Sequence, residues 1–144
     1  MTQLVVDSSV VLKWFFPEPY TLEARHILND YQAGVLDLFA PDLIYAEVGN
    51  IVWKKHRFQG LEASDAKQIL TLFGRLTLKI FSCSLLLDQA YQLAVTHQRT
   101  VYDALYLALS LREQCPFVTA DERFANALSS HFTNIIWVAD WPAT

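Results

Sequence analysis

The sequence predicts an α/β fold built on a parallel sheet, and two features carry that prediction. Short apolar runs with strand character alternate with longer amphipathic stretches along the whole chain, the pattern of strands joined by crossover helices. The first run, Leu4-Val5-Val6, has no polar break before Asp7-Ser8-Ser9. A strand that is apolar on both faces belongs inside a sheet covered on both sides, the position of a central parallel strand. Ligands of such sheets sit just beyond the carboxyl ends of the strands, so Asp7 falls where chemistry is expected.

Composition sets the limits. A chain of 144 residues is long enough to bury a core and is expected to form one domain, residues 1–144. With 53% apolar residues it can offset the entropy of ordering, which excludes a disordered chain. A net charge of −4 provides no overall basic footprint, which counts against a passive nucleic-acid binder but leaves room for a local patch. Cys83 and Cys115 lie far apart and outside any Cys-x-x-Cys pattern, so they read as buried small apolar groups in a reducing compartment. No apolar run reaches the ~18 to 20 residues of a membrane span, and a strand starting at residue 4 leaves no room for a signal peptide. A cytoplasmic protein without membrane attachment is expected.

The elements follow in order. After Asp7 a short helix begins at the serines and is stopped by Pro17 and Pro19, and its aromatic end (Trp14, Phe15, Phe16) looks surplus to a small core. A helix over 21–33 carries Leu22, Ile27, Leu28 and Tyr31 as candidate core residues, with Gly34 as its C-terminal signal. Residues 35–40 read as a second strand closed by Pro41. Asp42 is placed to cap a helix over 43–57, whose inward stripe is Ile44, Val48, Ile51 and Val52. Glu47 borders that stripe, sharing one edge with Asn50 and Lys54. Gln59-Gly60 breaks the chain before a helix over 62–76 with Ile69, Leu72 and Phe73 inward. A half-exposed strand over 78–83 then leads to Ser84 as the cap of a helix over 85–97.

Thr100 and Asp103 form a capping-box pattern ahead of a strongly apolar helix over 104–112. Residues 117–119 make a short buried strand, and Ala120-Asp121-Glu122 opens another helix, with Asp121 as an N-cap candidate. The last strand spans 134–138, before a tail with Trp141 and Pro142.

Each acid has an ordinary explanation taken singly: Glu47 as a solvated helix residue, Asp103 and Asp121 as caps. Together they form a pattern. Asp7 and Asp121 follow short apolar strands, Asp103 opens an apolar helix, and Glu47 borders a core stripe. Carboxylates brought together repel and raise one another's pKa unless a cation neutralises them. The four histidines, at 26, 56, 97 and 131, lack ligand spacing, so oxygen donors alone point to a hard ion, Mg²⁺ or Mn²⁺.

Four stretches in order carry a resemblance: Val5-Val6-Asp7-Ser8-Ser9-Val10, Pro41-x-x-x-x-Ala46-Glu47-Val48-x-Asn50, Tyr102-Asp103-Ala104-Leu105-Tyr106-Leu107-Ala108-Leu109, and Thr119-Ala120-Asp121-Glu122-Arg123. The chain resembles the PIN-domain ribonucleases, and most closely the VapC-type toxins of bacterial toxin-antitoxin pairs. The resemblance implies a three-layer α/β/α sandwich around a mostly parallel sheet of four to five strands. It further implies a metal-dependent endoribonuclease with Asp7, Glu47, Asp103 and Asp121 as its acidic pocket. Asp7, Asp103 and Asp121 would be the metal ligands and Glu47 an outer member. Ser9 and Thr119 would give hydroxyl support, and Asn50 would orient Glu47 or a water. Lys13 and Lys54 are candidates for phosphate contacts, and the surplus aromatic residues, Trp14, Phe15, Phe16 and Trp53 among them, for an interface. The implied partners are an RNA substrate, a cognate antitoxin protein and a second copy in a homodimer. A catalytically silent binding module and a housekeeping RNA-processing nuclease remain alternatives.

Overall fold

Leu4, Val5 and Val6 are fully shielded from solvent in strand β1 (Thr2–Val6), as an unbroken apolar run requires. Burying each such side chain contributes roughly 1.5–3 kcal/mol relative to leaving it exposed, so a polar residue at Val5 would break the centre of the sheet. The computed structural model describes residues 2–142. In chain order its elements after β1 are α1 (Ser8–Leu12), α2 (Thr21–Gln32), β2 (Leu36–Pro41), α3 (Leu43–Gln59), α4 (Ala63–Gly74) and β3 (Lys79–Phe81). There follow α5 (Cys83–His97), α6 (Val101–Glu113), β4 (Phe117–Thr119), α7 (Glu122–Leu128), β5 (Ile135–Trp137) and a 3₁₀ turn, Val138–Asp140.

The architecture is a three-layer α/β/α sandwich, with every strand pairing in the sheet parallel and the strands in the order β3-β2-β1-β4-β5. The chain lays down β1, β2 and β3 outward in one direction and then returns to place β4 and β5 on the other side of β1. Strand order therefore reverses between β1 and β4, which leaves a crevice at their carboxyl ends. The register sets Val6 beside Val118, so that Asp7 and Thr119 leave the sheet next to each other. Helix α6 packs on β1, β2, β4 and α5. Seven consecutive residues, Ala104 to Ser110, are buried in it, which explains a helix that is apolar all round. Inside it the Ser110 hydroxyl donates to the Leu107 carbonyl and accepts from Asn134 Nδ2, so this buried polar group is satisfied.

Several local expectations are corrected. The inward stripe of α2 is Ala24, Ile27, Leu28 and Tyr31, at helical spacings of three and four; Leu22 falls off it and is 81% exposed. In α4 the stripe is Ala66, Ile69 and Phe73, which turns Leu72 outward. Helix α5 starts earlier than expected, capped by Ser82, whose hydroxyl accepts the Ser84 N–H. Asp42 already has helical φ and ψ, a conformation in which it does not cap α3; its carboxylate accepts the Cys83 N–H at 3.1 Å instead. The edge strands β3 and β5 are shorter than expected, at three residues each.

Trp14 is not surplus: its ring is buried, and its Nε1 donates to the Ala24 carbonyl at 2.8 Å. Phe15 and Phe16 are half-buried against the core, whereas Trp53 is exposed and meets Phe58 edge-on. Cys115 is buried and Cys83 half-buried, both as free thiols that burial pushes up to about 11. Among the described residues no helix is long and apolar enough to cross a membrane.

Candidate active site

Four elements deliver the site. Asp7 ends β1 and caps α1, accepting the Val10 N–H at 3.2 Å. Asp121 follows β4 and caps α7, accepting the Phe124 N–H at 3.1 Å. Asp103 lies in the first turn of α6, and its own N–H donates to the Thr100 cap. Glu47 stands one turn into α3. Capping therefore coexists with site formation, since it holds the backbone of three acids at the mouth of the crevice. All four carboxylates line one pocket of about 150 Å³, together with Ser8, Ser9, Tyr106, Phe117, Thr119 and Phe124. No lysine, arginine or histidine is among the lining residues.

Hydroxyls fix the acids from behind. Asp7 Oδ1 accepts from Ser9 Oγ at 2.5 Å, and Oδ2 accepts from the fully buried Thr119 Oγ1 at 2.5 Å. The same two hydroxyl oxygens accept backbone N–H groups, Ser9 from Ala120 at 2.9 Å and Thr119 from Asp121 at 3.1 Å. The turn after β1 is thus tied to the turn after β4 through Asp7. Glu47 Oε1 accepts from the Tyr106 hydroxyl and from Ser8 Oγ at 3.4 Å.

Ser9 and Thr119 hydrogen-bond Asp7, whereas Asn50 is exposed and lies outside the pocket, and the hydrogen bonds to Glu47 come from Ser8 and Tyr106. Both were missed at the level of sequence. The available signal was spacing: Tyr106 is three residues after Asp103 and so shares its face of α6. Lys13 and Lys54 also lie outside the pocket, in an adjoining groove that shares Ser8, Ser9 and Asp121 with it.

The electrostatics follow from burial and crowding. Burial pushes Asp7 up to about 6; the hydrogen bonds from Ser9, Thr119 and Val10 oppose this, and the charge of Glu47 adds to it. Glu47 is raised by burial against the bonds from Tyr106 and Ser8, with a further push from Asp103. Asp103 is raised by burial and by the charge of Asp121, while Thr100 and the more distant Arg99 guanidinium draw it down. Tyr106 is raised far out of the physiological range by burial and by Glu47, so it is a permanent donor.

Among the described residues no three His, Cys, Asp or Glu side chains form a ready-made metal cage. The acids are instead spread around the pocket wall. An all-oxygen donor set without a neutralising base suits a hard divalent cation, and a spread set suits one that keeps part of its water shell.

Residues 4–127 match the family model described as PIN domain. The chain is 35% identical over 127 residues to Ribonuclease VapC3 of Pyrobaculum aerophilum, covering 85% of this chain and 92% of that protein. Among solved structures it is similar to PAE2754 of the same organism, with a TM-score of 0.68 at 23% identity over 96% of this chain and 85% of the other. It is also similar to VapC20 of Mycobacterium tuberculosis, a toxin that cleaves the sarcin-ricin loop. There the TM-score is 0.63 at 14% identity, over 86% of this chain and 94% of the other. A toxin-antitoxin complex from Klebsiella pneumoniae matches with a TM-score of 0.62 at 16% identity, over 92% and 95%. At these identities the structural matches speak for the fold.

Proposed function

From the premise that this chain belongs to the PIN-domain family and is related to the VapC-type toxins, we propose that it is a metal-dependent endoribonuclease that hydrolyses RNA phosphodiester bonds. The observation that carries this reading is the convergence of Asp7, Glu47, Asp103 and Asp121 on one pocket with no basic lining residue. Asp7, Asp103 and Asp121 would hold Mg²⁺ or Mn²⁺, with Glu47 as an outer member. A bound ion supplies Lewis acidity toward the scissile phosphate and lowers the pKa of water.

The protein's own residues do the positioning. Ser9 and Thr119 hold the two oxygens of Asp7 at the pocket wall, with the Val10 N–H adding to Oδ1. Tyr106 and Ser8 hold one oxygen of Glu47, which leaves the other free to orient an attacking water. Mutual repulsion among the acids favours a cation there, because it is relieved when positive charge enters.

The cellular role that fits is the toxin of a toxin-antitoxin pair, acting in the cytoplasm as a single domain over residues 1–144. A cognate antitoxin and a second copy of the chain are its protein partners. Trp53 and Phe58 on α3 and Leu85, Leu87, Tyr91 and Val95 on α5 are exposed apolar groups suited to those interfaces.

The test is cleavage of a mixed RNA pool, transfer RNA included, by the wild type and by Asp103→Asn. Each is assayed with Mg²⁺ or Mn²⁺ and again with chelator. Asp103→Asn keeps a side chain of the same size, so loss of cutting in a folded variant separates catalysis from capping. Metal-dependent cuts absent from the variant are expected. Cuts that persist equally in the variant or in chelator would overturn the assignment.

A further inference from the structure

A protein of net charge −4 whose reaction pocket is lined by four carboxylates must capture a polyanion with a local cationic feature. Such a feature adjoins the pocket. A groove of about 370 Å³ runs between α1 and α3, lined by Leu12, Lys13, Glu18, Ile51, Lys54, Lys55 and Gln59. It opens onto Ser8, Ser9, Ala120 and Asp121, three of which also line the pocket. The three lysines are not equivalent. Lys13 is buried, and its ammonium stands 3.4 Å from Glu18 Oε1, so its charge is already matched within the protein. Lys55 holds its ammonium over the Phe16 ring at 4.5 Å, and among the described residues no carboxylate pairs with it. Lys54 is exposed, one residue away on the same helix.

Resting on the nuclease reading above, we infer that this groove is the track of the RNA strand on one side of the scissile phosphate. Lys54 and Lys55 contact the backbone phosphates there, and Lys13 is a structural residue paired with Glu18. The groove and pocket share Ser8, Ser9 and Asp121, so one strand laid along them passes from the lysines to the acids. The contacts are to backbone, so they set position and affinity without reading sequence.

The test compares wild type with Lys54→Gln/Lys55→Gln and with a control of equal charge change on α4 and its C-cap, Lys67→Gln/Arg75→Gln. Affinity for a fluorescent 20-nucleotide single-stranded RNA is measured in chelator across a salt series, and cleavage kinetics are measured with Mg²⁺. In chelator the groove variant is expected to bind at least tenfold more weakly. Its dependence of log affinity on log salt should be shallower by about 1.4, the release expected for two phosphate contacts on a single strand. The control should stay within twofold of wild type. With Mg²⁺ the groove variant should raise KM and leave kcat within about twofold. Equal losses in groove and control variants would reduce the effect to overall charge and overturn the track, as would unchanged affinity in the groove variant. Wild type that binds RNA without cutting it would remove the nuclease reading while leaving the groove result to stand by itself. Wild type that neither binds nor cuts would overturn both.

Discussion

Asp7 and Asp42 occupy equivalent places in neighbouring units of the sheet. Each follows a buried parallel strand, β1 or β2, and each leads into a helix. Their environments have opposite signs. Asp42 is exposed, and the bonds from the Cys83 thiol and from its N–H hold the carboxyl below the usual range. Asp7 is walled in by Ser9, Thr119 and the crevice, and burial pushes it up to about 6. The difference arises from topology: β1 borders the reversal of strand order, whereas β2 lies one strand away, between β1 and β3. An aspartate after an apolar strand is thus a common structural motif, and what singles one out is the convergence of other acids upon it.

The largest effect that would sharpen this contrast is on activity. Asp7→Asn is expected to cut RNA at least a thousandfold more slowly, about 4 kcal/mol of transition-state stabilisation at ~1.4 kcal/mol per tenfold. Asp42→Asn should stay within twofold. Rates measured with Mg²⁺ on folded variants decide it, and comparable losses at both positions would erase the distinction.

The second effect is on stability as a function of pH. Because Asp7 has a higher pKa folded than unfolded, the native state holds the proton more tightly. Its contribution is fully present below about 4 and is lost as pH rises through about 6. The span is on the order of 3 kcal/mol at most, and solvent reaching the pocket reduces it. Urea unfolding in chelator at pH 5 and 7 should show wild type losing stability across that interval. Asp7→Asn should lose less of it. Added Mg²⁺ binds the ionised acids and should reverse the loss, raising stability by about 1.4 kcal/mol at ten times its Kd and by more at pH 8 than at pH 5. An identical pH slope in wild type and Asp7→Asn would show that Asp7 is not the strained group.

Sequence disclosed the central strand, the parallel class and the four acids because each leaves a local trace: an unbroken apolar run, a strand-helix alternation, an acid at a strand end or helix start. It did not disclose the partners of Glu47. Tyr106 is one of seven consecutive buried residues in α6; its spacing from Asp103 puts it on the site's face of the helix, but does not tell that its hydroxyl meets Glu47, 59 positions away. Asn50 failed for the converse reason: it shares a helix edge with Glu47, but that edge continues out of the pocket into solvent. Leu72 is one 100° step from the stripe member Phe73, and Leu22, two residues before Ala24, falls on the face opposite the α2 stripe, so an apolar residue near a stripe is easily taken for a member of it. Asp42 and Asp121 carry the same capping signature, and only backbone conformation separates them, helical at Asp42 and extended at Asp121.

The smallest effect tests the unremarkable half of the comparison. Asp42→Ala removes an acceptor from the Cys83 N–H, a bond near the sheet edge where water can replace the lost partner. The expected cost is about 0.5 to 1 kcal/mol, the net worth of a solvent-accessible hydrogen bond, with RNA cleavage unchanged. The folded pKa of Asp42 is depressed, so this contribution is present above about 4 and fades as the pH falls below it, the reverse of Asp7. Urea unfolding of Asp42→Ala and wild type at pH 7 and pH 3 would therefore give a difference at the higher pH that shrinks at the lower. A large loss of cleavage in Asp42→Ala would mean that the site extends past β2, and the reversal between β1 and β4 would no longer mark its boundary.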